Sequence, residues 1–149
     1  MRRGLAGFMV GCTLLVMLGT LGTPAPAGAT VEERLQLTDL VNQAREARGL
    51  HGLGWSKDLW SLARKHSIEM CASGDLYHSR NLSVRLSFAN WSTYGENVGV
   101  GVDVRGLFDA FMASDAHRAN ILDRSFRKVG IGFAHDENGI LWVTMIFYG

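Results

Sequence analysis

The segment "RKVGIGFAHDENGILWVTMIFYG", residues 127–149, decides the fold of this chain. Its apolar residues predict two strands joined through Asn138–Gly139, a dipeptide that is typical of hairpin turns. In the first strand Val129, Ile131 and Phe133 alternate with glycines, which leave room for close packing on the opposite face. The second strand, "ILWVTMIF", is apolar at nearly every position, so both of its faces should be covered. The segment therefore predicts an antiparallel hairpin between two layers of other elements.

Upstream of the hairpin, apolar residues recur at helical spacing and predict the covering layers. Thr30 and Glu33 have the spacing of a capping box at the start of a first helix, and Gly49 should end that helix. Ser56 is placed to cap a second helix, which Gly74 should end. Helices are expected at 31–48, at 57–73 and at 104–113, the last capped by Asp103. A short helix is expected within 79–88, with Leu82, Leu86 and Val84 turned inward. A strand is expected within 94–101 and a helical turn within 113–122. The expected fold class is α+β, with helices on both sides of a small, mainly antiparallel sheet that ends in the hairpin.

The beginning of the chain has the pattern of a secretory signal peptide. Arg2 and Arg3 precede the apolar run at 4–22, and small residues follow it. We therefore expect residues 1–29 to be removed as a signal peptide and residues 30–149 to form one domain that is secreted. The alternative is an uncleaved membrane anchor. Gly and Thr interrupt the run, and its length is about the minimum for a bilayer, so we expect no membrane span in the mature protein.

Charge and cysteine content exclude several classes of protein. The chain has 15 Lys and Arg against 14 Asp and Glu with no basic block, so nucleic acid is not an expected partner. After the predicted cleavage Cys71 is the remaining cysteine, and an internal disulfide is therefore not expected. Cys71 lies on the second predicted helix, where it is either a small buried residue or a reactive thiol.

Three side chains at helix ends and in loops are candidates for a functional site, because binding groups concentrate in such positions. They are His78, Glu96 and His117. Each also has a structural explanation: His78 could bind a backbone carbonyl, Glu96 could accept backbone amides, and His117 could cap the preceding helix. His66 lies on the apolar face of the second helix, where we expect a hydrogen-bonded and partly buried histidine. No G-x-S-x-G, H-E-x-x-H or phosphate-binding glycine loop is present in the sequence.

Four segments in order along the chain resemble the CAP superfamily of cysteine-rich secretory, antigen and pathogenesis-related proteins, in its short bacterial form. They are "LVNQAREARGLHGLGWSKDLWSLARKHSIEMCASGDLYHS", "GENVGVG", "FMASDAHRANIL" and "VGIGFAHDENGILWVTMIF". This resemblance covers essentially the whole chain after the predicted signal peptide. It implies a three-layer α-β-α sandwich with a cleft on one face, lined by two histidines and acidic residues.

The resemblance also implies which residues line that cleft. His78 in "LYHS", Glu96 in "GEN" and His117 in "DAHRANIL" match the family pattern, and the same three would hold Zn²⁺ or another divalent cation. To these we add Asn97, which follows Glu96. Ser114 also belongs to the predicted cleft, although it stands where animal and plant members carry a second glutamate. That departure removes one carboxylate and weakens the expectation of a metal.

Three functions remain open at this point. The first is a secreted module that binds a lipid, another apolar ligand or a cell-envelope partner, and this is the function we favour. The second is a metal-dependent hydrolase or peptidase that uses the same cleft. In the third, the three side chains only stabilise the fold. A complete catalytic set is not recognisable, so enzymatic activity is not expected, although Ser79 beside His78 and Ser114 near His117 are nucleophiles in principle.

Overall fold

The computed structural model of this protein describes residues 27–149. Residues 1–26 of the predicted signal peptide at 1–29 lie outside the described residues. Among the described residues, no helix has both the length and the apolar character needed to cross a bilayer.

The described chain forms five helices and four strands in a three-layer α+β arrangement, as predicted. The elements in order are α1 (Ala27–Glu46), β1 (Gly54–Trp55), α2 (Lys57–Ser73), α3 (Leu82–Arg85), β2 (Tyr94–Gly101), α4 (Val104–Ala113), α5 (Asp115–Ile121), β3 (Lys128–His135) and β4 (Leu141–Tyr148). The strand order is β1-β3-β4-β2, so β1 and β2 are the two edges of the sheet. Strand β1 pairs with β3 in parallel, and the other pairs are antiparallel. The sheet is therefore mainly antiparallel.

Strands β3 and β4 form the predicted hairpin at the centre of the sheet. A Cβ atom at Gly130 would collide with the backbone of Leu59, and one at Gly132 would collide with the backbone of Arg64. These two glycines therefore let α2 lie directly on the sheet. The connecting turn spans residues 136–140 and is longer than the two-residue turn that Asn138–Gly139 suggested. Within it, only Gly139 has positive φ, at 78°. The carboxylate of Asp136 closes it by accepting from the N–H groups of residues 138 and 140, each at 2.9 Å.

The two faces of the sheet have cores of different composition. Helices α1, α4 and α5 cover one face, and α2 and α3 cover the other. The first core contains Leu37, Val41, Leu107, Phe108, Phe111, Ile121, Val129, Ile131, Phe133, Val143, Met145 and Phe147. The second contains Leu59, Ala63, Leu82, Leu86 and Ile146, and beside it Met70, Val98 and Trp142. Strand β4 contributes to both cores, which is why its sequence is apolar at nearly every position.

Most of the predicted helix boundaries are confirmed by their caps. The Ser56 hydroxyl accepts from the N–H of Leu59, the Asp103 carboxylate accepts from the N–H of Gly106, and Gly74 ends α2 in the left-handed conformation. The capping box at Thr30 is wrong. Helix α1 begins at Ala27, so Thr30 lies inside the helix.

Two other expectations about individual side chains are also corrected. The carboxylate of Glu33 binds His135 instead of a helix terminus. Leu82 and Leu86 are buried as predicted, whereas Val84 is exposed because a helix as short as α3 can turn only one side toward the core.

Candidate functional site

A histidine and a glutamate form the centre of the predicted cleft. His78 lies between α2 and α3, and Glu96 lies on the edge strand β2. The Nδ1 atom of His78 is 2.9 Å from Oε1 of Glu96, and the backbone N–H of Ser79 donates to the same oxygen at 2.8 Å. The side chain of Glu96 is 5% exposed and that of His78 is 63% exposed. The carboxylate is therefore a buried acceptor, and the imidazole that covers it is open to solvent.

The second histidine, His117, lies beside this pair on α5. Its Nδ1 atom is 2.9 Å from the hydroxyl oxygen of Ser114, and its ring packs 5.1 Å from that of Phe111. Burial lowers the pKa of His117 below its usual range, and the nearby charge of His78 lowers it further. His117 is therefore a neutral imidazole at neutral pH. The charge of His78 is thus felt at the ring of His117.

Two asparagines connect α5 to β2 behind the cleft. The buried side chain of Asn97 donates to the carbonyl oxygen of His117 at 3.0 Å. Asn120 donates to Oδ1 of Asn97 at 2.8 Å and to the carbonyl oxygen of Glu96 at 3.2 Å. A Cβ atom at Gly95 would lie 2.9 Å from Oδ1 of Asn120, so a larger residue there would displace the Asn120 side chain. Asn97 therefore holds the backbone of His117, and Asn120 holds that of Glu96.

Asn120 is a site residue that sequence reasoning missed, although it lies in the same motif as His117. The sequence signal was the amide side chain of Asn120, three residues after His117 in "DAHRANIL", in addition to that of Asn97. The buried Arg45 was also missed, because an arginine at a helix end is usually solvated. Its guanidinium donates to the carbonyl oxygens of His51, Ile121 and Asp123. Burial lowers its pKa from the ordinary value. Arg45 thereby holds the chain that leaves α5.

Two polar atoms of the cleft are buried without a hydrogen-bond partner among the described residues. They are Oε2 of Glu96 and the hydroxyl oxygen of Ser79. Leaving a buried polar atom unpaired costs about 1–3 kcal/mol, and more for a charged group. A ligand that donates a hydrogen bond to Glu96 would remove that cost. The cleft is therefore suited to a donor such as a hydroxyl, amine or protonated group.

The described side chains do not fit a ready-made metal site. Between residues 27 and 149, no three His, Cys, Asp or Glu side chains are grouped so as to hold a metal ion. Glu96 already binds His78 through one oxygen, and His117 is occupied by Ser114 at the position where the second family carboxylate would stand. Zinc prefers at least three such protein ligands around an open position. The predicted Zn²⁺ or other divalent cation stays a prediction.

Several other titratable groups lie away from the cleft. His66 is buried and its Nε2 atom is 2.8 Å from the carbonyl oxygen of Tyr77, which confirms its structural role. Cys71 is half-buried, and burial together with the charge of Asp136 raises the pKa of its thiol. That thiol is therefore a poor nucleophile at neutral pH. His135 forms a second histidine–glutamate pair with Glu33, at 2.9 Å between Nε2 and Oε1.

Comparisons with known proteins bear on the family and the fold of this chain. A family model described as the cysteine-rich secretory protein family, CAP, matches residues 38–147. The uncharacterized protein YkwD of Bacillus subtilis (strain 168) is 30% identical over 134 residues, which cover 85% of this chain and 51% of that protein. The chain thus spans about half the length of the curated relative that it matches.

Solved structures of bacterial proteins have the same fold. An extracellular protein containing an SCP domain from Bacillus anthracis superposes with a TM-score of 0.73 at 23% identity, over 85% of this chain and 44% of that one. An outer surface protein from Borrelia burgdorferi superposes with a TM-score of 0.75 at 15% identity, over 85% of this chain and 97% of that one. At these identities the structures show a common fold and no more.

Proposed function

The chain belongs to the CAP family of cysteine-rich secretory proteins, and from that premise we propose that it is an exported ligand-binding domain. Its ligand is a lipid or another cell-envelope component whose polar group enters the cleft of His78, Glu96 and His117. Export agrees with the signal-peptide pattern at 1–29 and with the extracellular and surface locations named for its structural neighbours. Secretion of this chain is part of the proposal.

The observation that supports ligand binding is the unpaired Oε2 atom of Glu96. This oxygen belongs to a buried carboxylate whose other oxygen is already held by His78 and by the N–H of Ser79. A ligand hydroxyl or amine at Oε2 would gain a charge-assisted hydrogen bond, which is about twice as strong as a neutral one. The ring of His78 covers this carboxylate but is itself 63% exposed, so a ligand that turns the ring aside would reach Oε2, and the neutral ring of His117 would add a second polar contact.

The experiment compares ligand binding by wild type, Glu96→Gln and Glu33→Gln. Glu33 provides the matched control, because it is also a carboxylate that binds a histidine at 2.9 Å with its second oxygen buried. It lies on α1, and its partner His135 is at the end of β3. Envelope lipids and cell-wall fragments are screened by thermal shift, and hits are titrated by calorimetry.

We expect Glu96→Gln to weaken binding by about tenfold or more, because the charge-assisted bond becomes a neutral one. Glu33→Gln should bind like wild type. The proposal fails if no component of the screen binds saturably, or if both variants bind like wild type.

A metal-independent hydrolase is the second candidate, and one contact favours it. The hydroxyl of Ser114 lies 2.9 Å from the neutral ring of His117, which is the distance of a nucleophile from its general base. Within the described chain, however, no carboxylate binds His117 to orient it. Turnover of esters or peptides that Ser114→Ala abolishes, while Ser79→Ala leaves it intact, would establish this activity over ligand binding alone.

Metal loading is tested separately from ligand binding. The protein is purified from the medium without added metal, and its zinc, manganese and iron contents are measured per mole of chain. A stoichiometric metal that His78→Ala and His117→Ala both remove would replace the donor-ligand proposal with a metal-centred one. Metal below about one tenth of the protein concentration would agree with the present arrangement of His78, Glu96 and Ser114, in which a second carboxylate is missing.

A further inference from the structure

The edge of the sheet opposite the cleft exposes a pair of tryptophans with an arginine against both rings. Trp55 lies on β1 and Trp60 on the first turn of α2, with ring centroids 6.5 Å apart. The guanidinium of Arg34, on α1, is 5.4 Å from the centroid of Trp55 and 5.5 Å from that of Trp60. Trp55 is nevertheless 48% exposed. A large aromatic side chain held rigidly in water by a cation–π contact is a candidate binding surface.

Two hollows flank this aromatic pair. One, of about 270 Å³, is lined by Arg34, Leu35, Thr38 and Trp55. The other, of about 390 Å³, lies on the outer side of α2 and is lined by Trp60, Ser61, Arg64, Lys65, Ile68 and Glu69. Exposed apolar side chains accompany both hollows. We call the surface formed by Val31, Arg34, Leu35, Trp55, Trp60, Arg64, Lys65 and Ile68 the tryptophan face.

The charged groups that line these hollows are mostly positive. Arg34, Arg64 and Lys65 line them, against one acidic residue, Glu69, which lies 4.0 Å from Lys65. The surface therefore combines indole rings, exposed aliphatic side chains and excess positive charge. This is the composition of protein surfaces that lie in the headgroup region of membranes, where indoles sit at the boundary and long basic side chains reach phosphate groups.

We propose that the tryptophan face docks onto a bilayer that contains anionic phospholipid. The two hollows are separate and shallow, which suits an array of small headgroups and acyl chain ends. A second copy of the chain is a poor occupant, because a symmetric contact would bring the same positive charges face to face.

Docking through this face would leave the cleft free. The tryptophan face lies at the β1 edge and the pair of His78 and Glu96 at the β2 edge, with β3 and β4 between them. A domain held to the membrane by its β1 edge would leave its β2 edge, with His78 and Glu96, accessible to ligands at or near the membrane. The proposal goes beyond ligand binding in the cleft, since either surface could work without the other.

The test measures binding of the exported protein to vesicles of phosphatidylcholine alone and of phosphatidylcholine with phosphatidylglycerol, by flotation. We expect binding to the anionic vesicles only, falling as salt rises. The double variant Leu35→Ser/Trp55→Ser should weaken it at least tenfold, since two apolar contacts with the bilayer are lost. Leu76→Ser is the matched control, because Leu76 is 53% exposed and Leu35 is 55% exposed, and Leu76 lies outside the tryptophan face. Arg64→Gln/Lys65→Gln should weaken binding to the anionic vesicles by roughly tenfold.

A second measurement locates the contact through tryptophan fluorescence. Vesicles with brominated acyl chains should quench wild type and Trp91→Phe alike, because Trp91 is at the opposite edge of the sheet, against Tyr94. Quenching should fall in Trp55→Phe, and circular dichroism should show that every variant is folded. Equal binding to both kinds of vesicle, no binding, or the same loss in Leu76→Ser would overturn the proposal. So would a concentration-dependent dimer that Trp55→Ser dissociates. Ligand binding in the cleft would survive any of these results, so failure of one proposal is distinguishable from failure of the other.

Discussion

Two histidine–glutamate pairs in this molecule have the same bond and different surroundings. In each pair an imidazole nitrogen lies 2.9 Å from a carboxylate oxygen, and the second oxygen is buried without a partner among the described residues. In the cleft, His78 is 63% exposed over a carboxylate that is 5% exposed. Between α1 and β3, His135 is 12% exposed and Glu33 is 19% exposed. The hydrogen bond alone therefore identifies no functional site, and exposure of the imidazole distinguishes an open pair from a closed one.

The largest effect is expected from removing the support behind the open pair. Asn97→Ala deletes the buried bonds to His117 and Asn120, which should lower the free energy of unfolding by about 2–3 kcal/mol. Ligand binding in the cleft should weaken as well, because α5 is then held to β2 by the bond from Asn120 to Glu96 without the two bonds of Asn97. Chemical denaturation and calorimetric titration measure the two effects.

The matched control for Asn97→Ala is Asn42→Ala. Asn42 accepts from the N–H of Leu53 at 2.7 Å and donates to its carbonyl oxygen at 3.2 Å, away from the cleft. Asn42→Ala should destabilise the protein and leave binding intact. If both variants lose binding equally, the asparagines behind the cleft have no specific positioning role.

The next largest effect on stability is expected when the histidine of either pair, His78 or His135, is replaced by alanine. His135→Ala should lower the free energy of unfolding by about 1–3 kcal/mol, because it leaves Glu33 buried and unpaired. His78→Ala should cost less than about 1 kcal/mol, since its ring is largely in solvent and the N–H of Ser79 still holds Glu96. Ligand affinity should show the reverse order. Thermal unfolding and titration of both variants decide this, and a larger stability loss in His78→Ala would contradict the distinction between open and closed pairs.

A smaller effect comes from the burial of His117, to which the nearby charge of His78 adds. The pKa of His117 is lowered in the folded protein from an ordinary value of 6.5, so the unfolded chain takes up a proton first as pH falls. Its contribution to stability is therefore fully present above about pH 6.5 and is lost progressively as pH falls toward the folded pKa.

Denaturant unfolding at pH 7.5 and at pH 5 measures this loss. His117→Gln should show a smaller decrease in stability between the two conditions than wild type. His78→Gln should reduce the decrease partly, because it removes the second cause of the shift. An unchanged decrease in His117→Gln would mean that other groups account for it.

The smallest effect on stability is expected at Ser114, whose side chain makes no cap hydrogen bond to α5. Ser114→Glu would restore the second carboxylate that other family members carry, so it should change the free energy of unfolding by less than about 0.5 kcal/mol. It should also raise the affinity for zinc above that of wild type, measurable by competition with a chromogenic chelator. Equal zinc affinity in wild type and variant would show that the missing carboxylate is not what limits metal binding.

Features could be predicted from the sequence when the interacting residues lie close together along the chain. The caps at Ser56, Asp103 and Gly74 were predictable because each joins a side chain or a φ angle to atoms a few residues away. The glycines in β3 were also predictable, since their alternation with apolar residues indicates a face on which a helix can lie closely. Glu33 was predicted wrongly by the same local logic, because its partner His135 lies at the far end of β3.

The sequence by itself determined the central hairpin, most of the helix boundaries and the family, because local spacing and ordered motifs encode them. Only the tertiary structure decided that His78 and Glu96 share a hydrogen bond, that Asn97 binds the backbone of His117, and that Trp55, Trp60 and Arg34 form one surface. Those contacts join β1, β2, α1, α2 and α5. Their geometry follows from how the helices settle on the sheet, which depends on packing of the whole core.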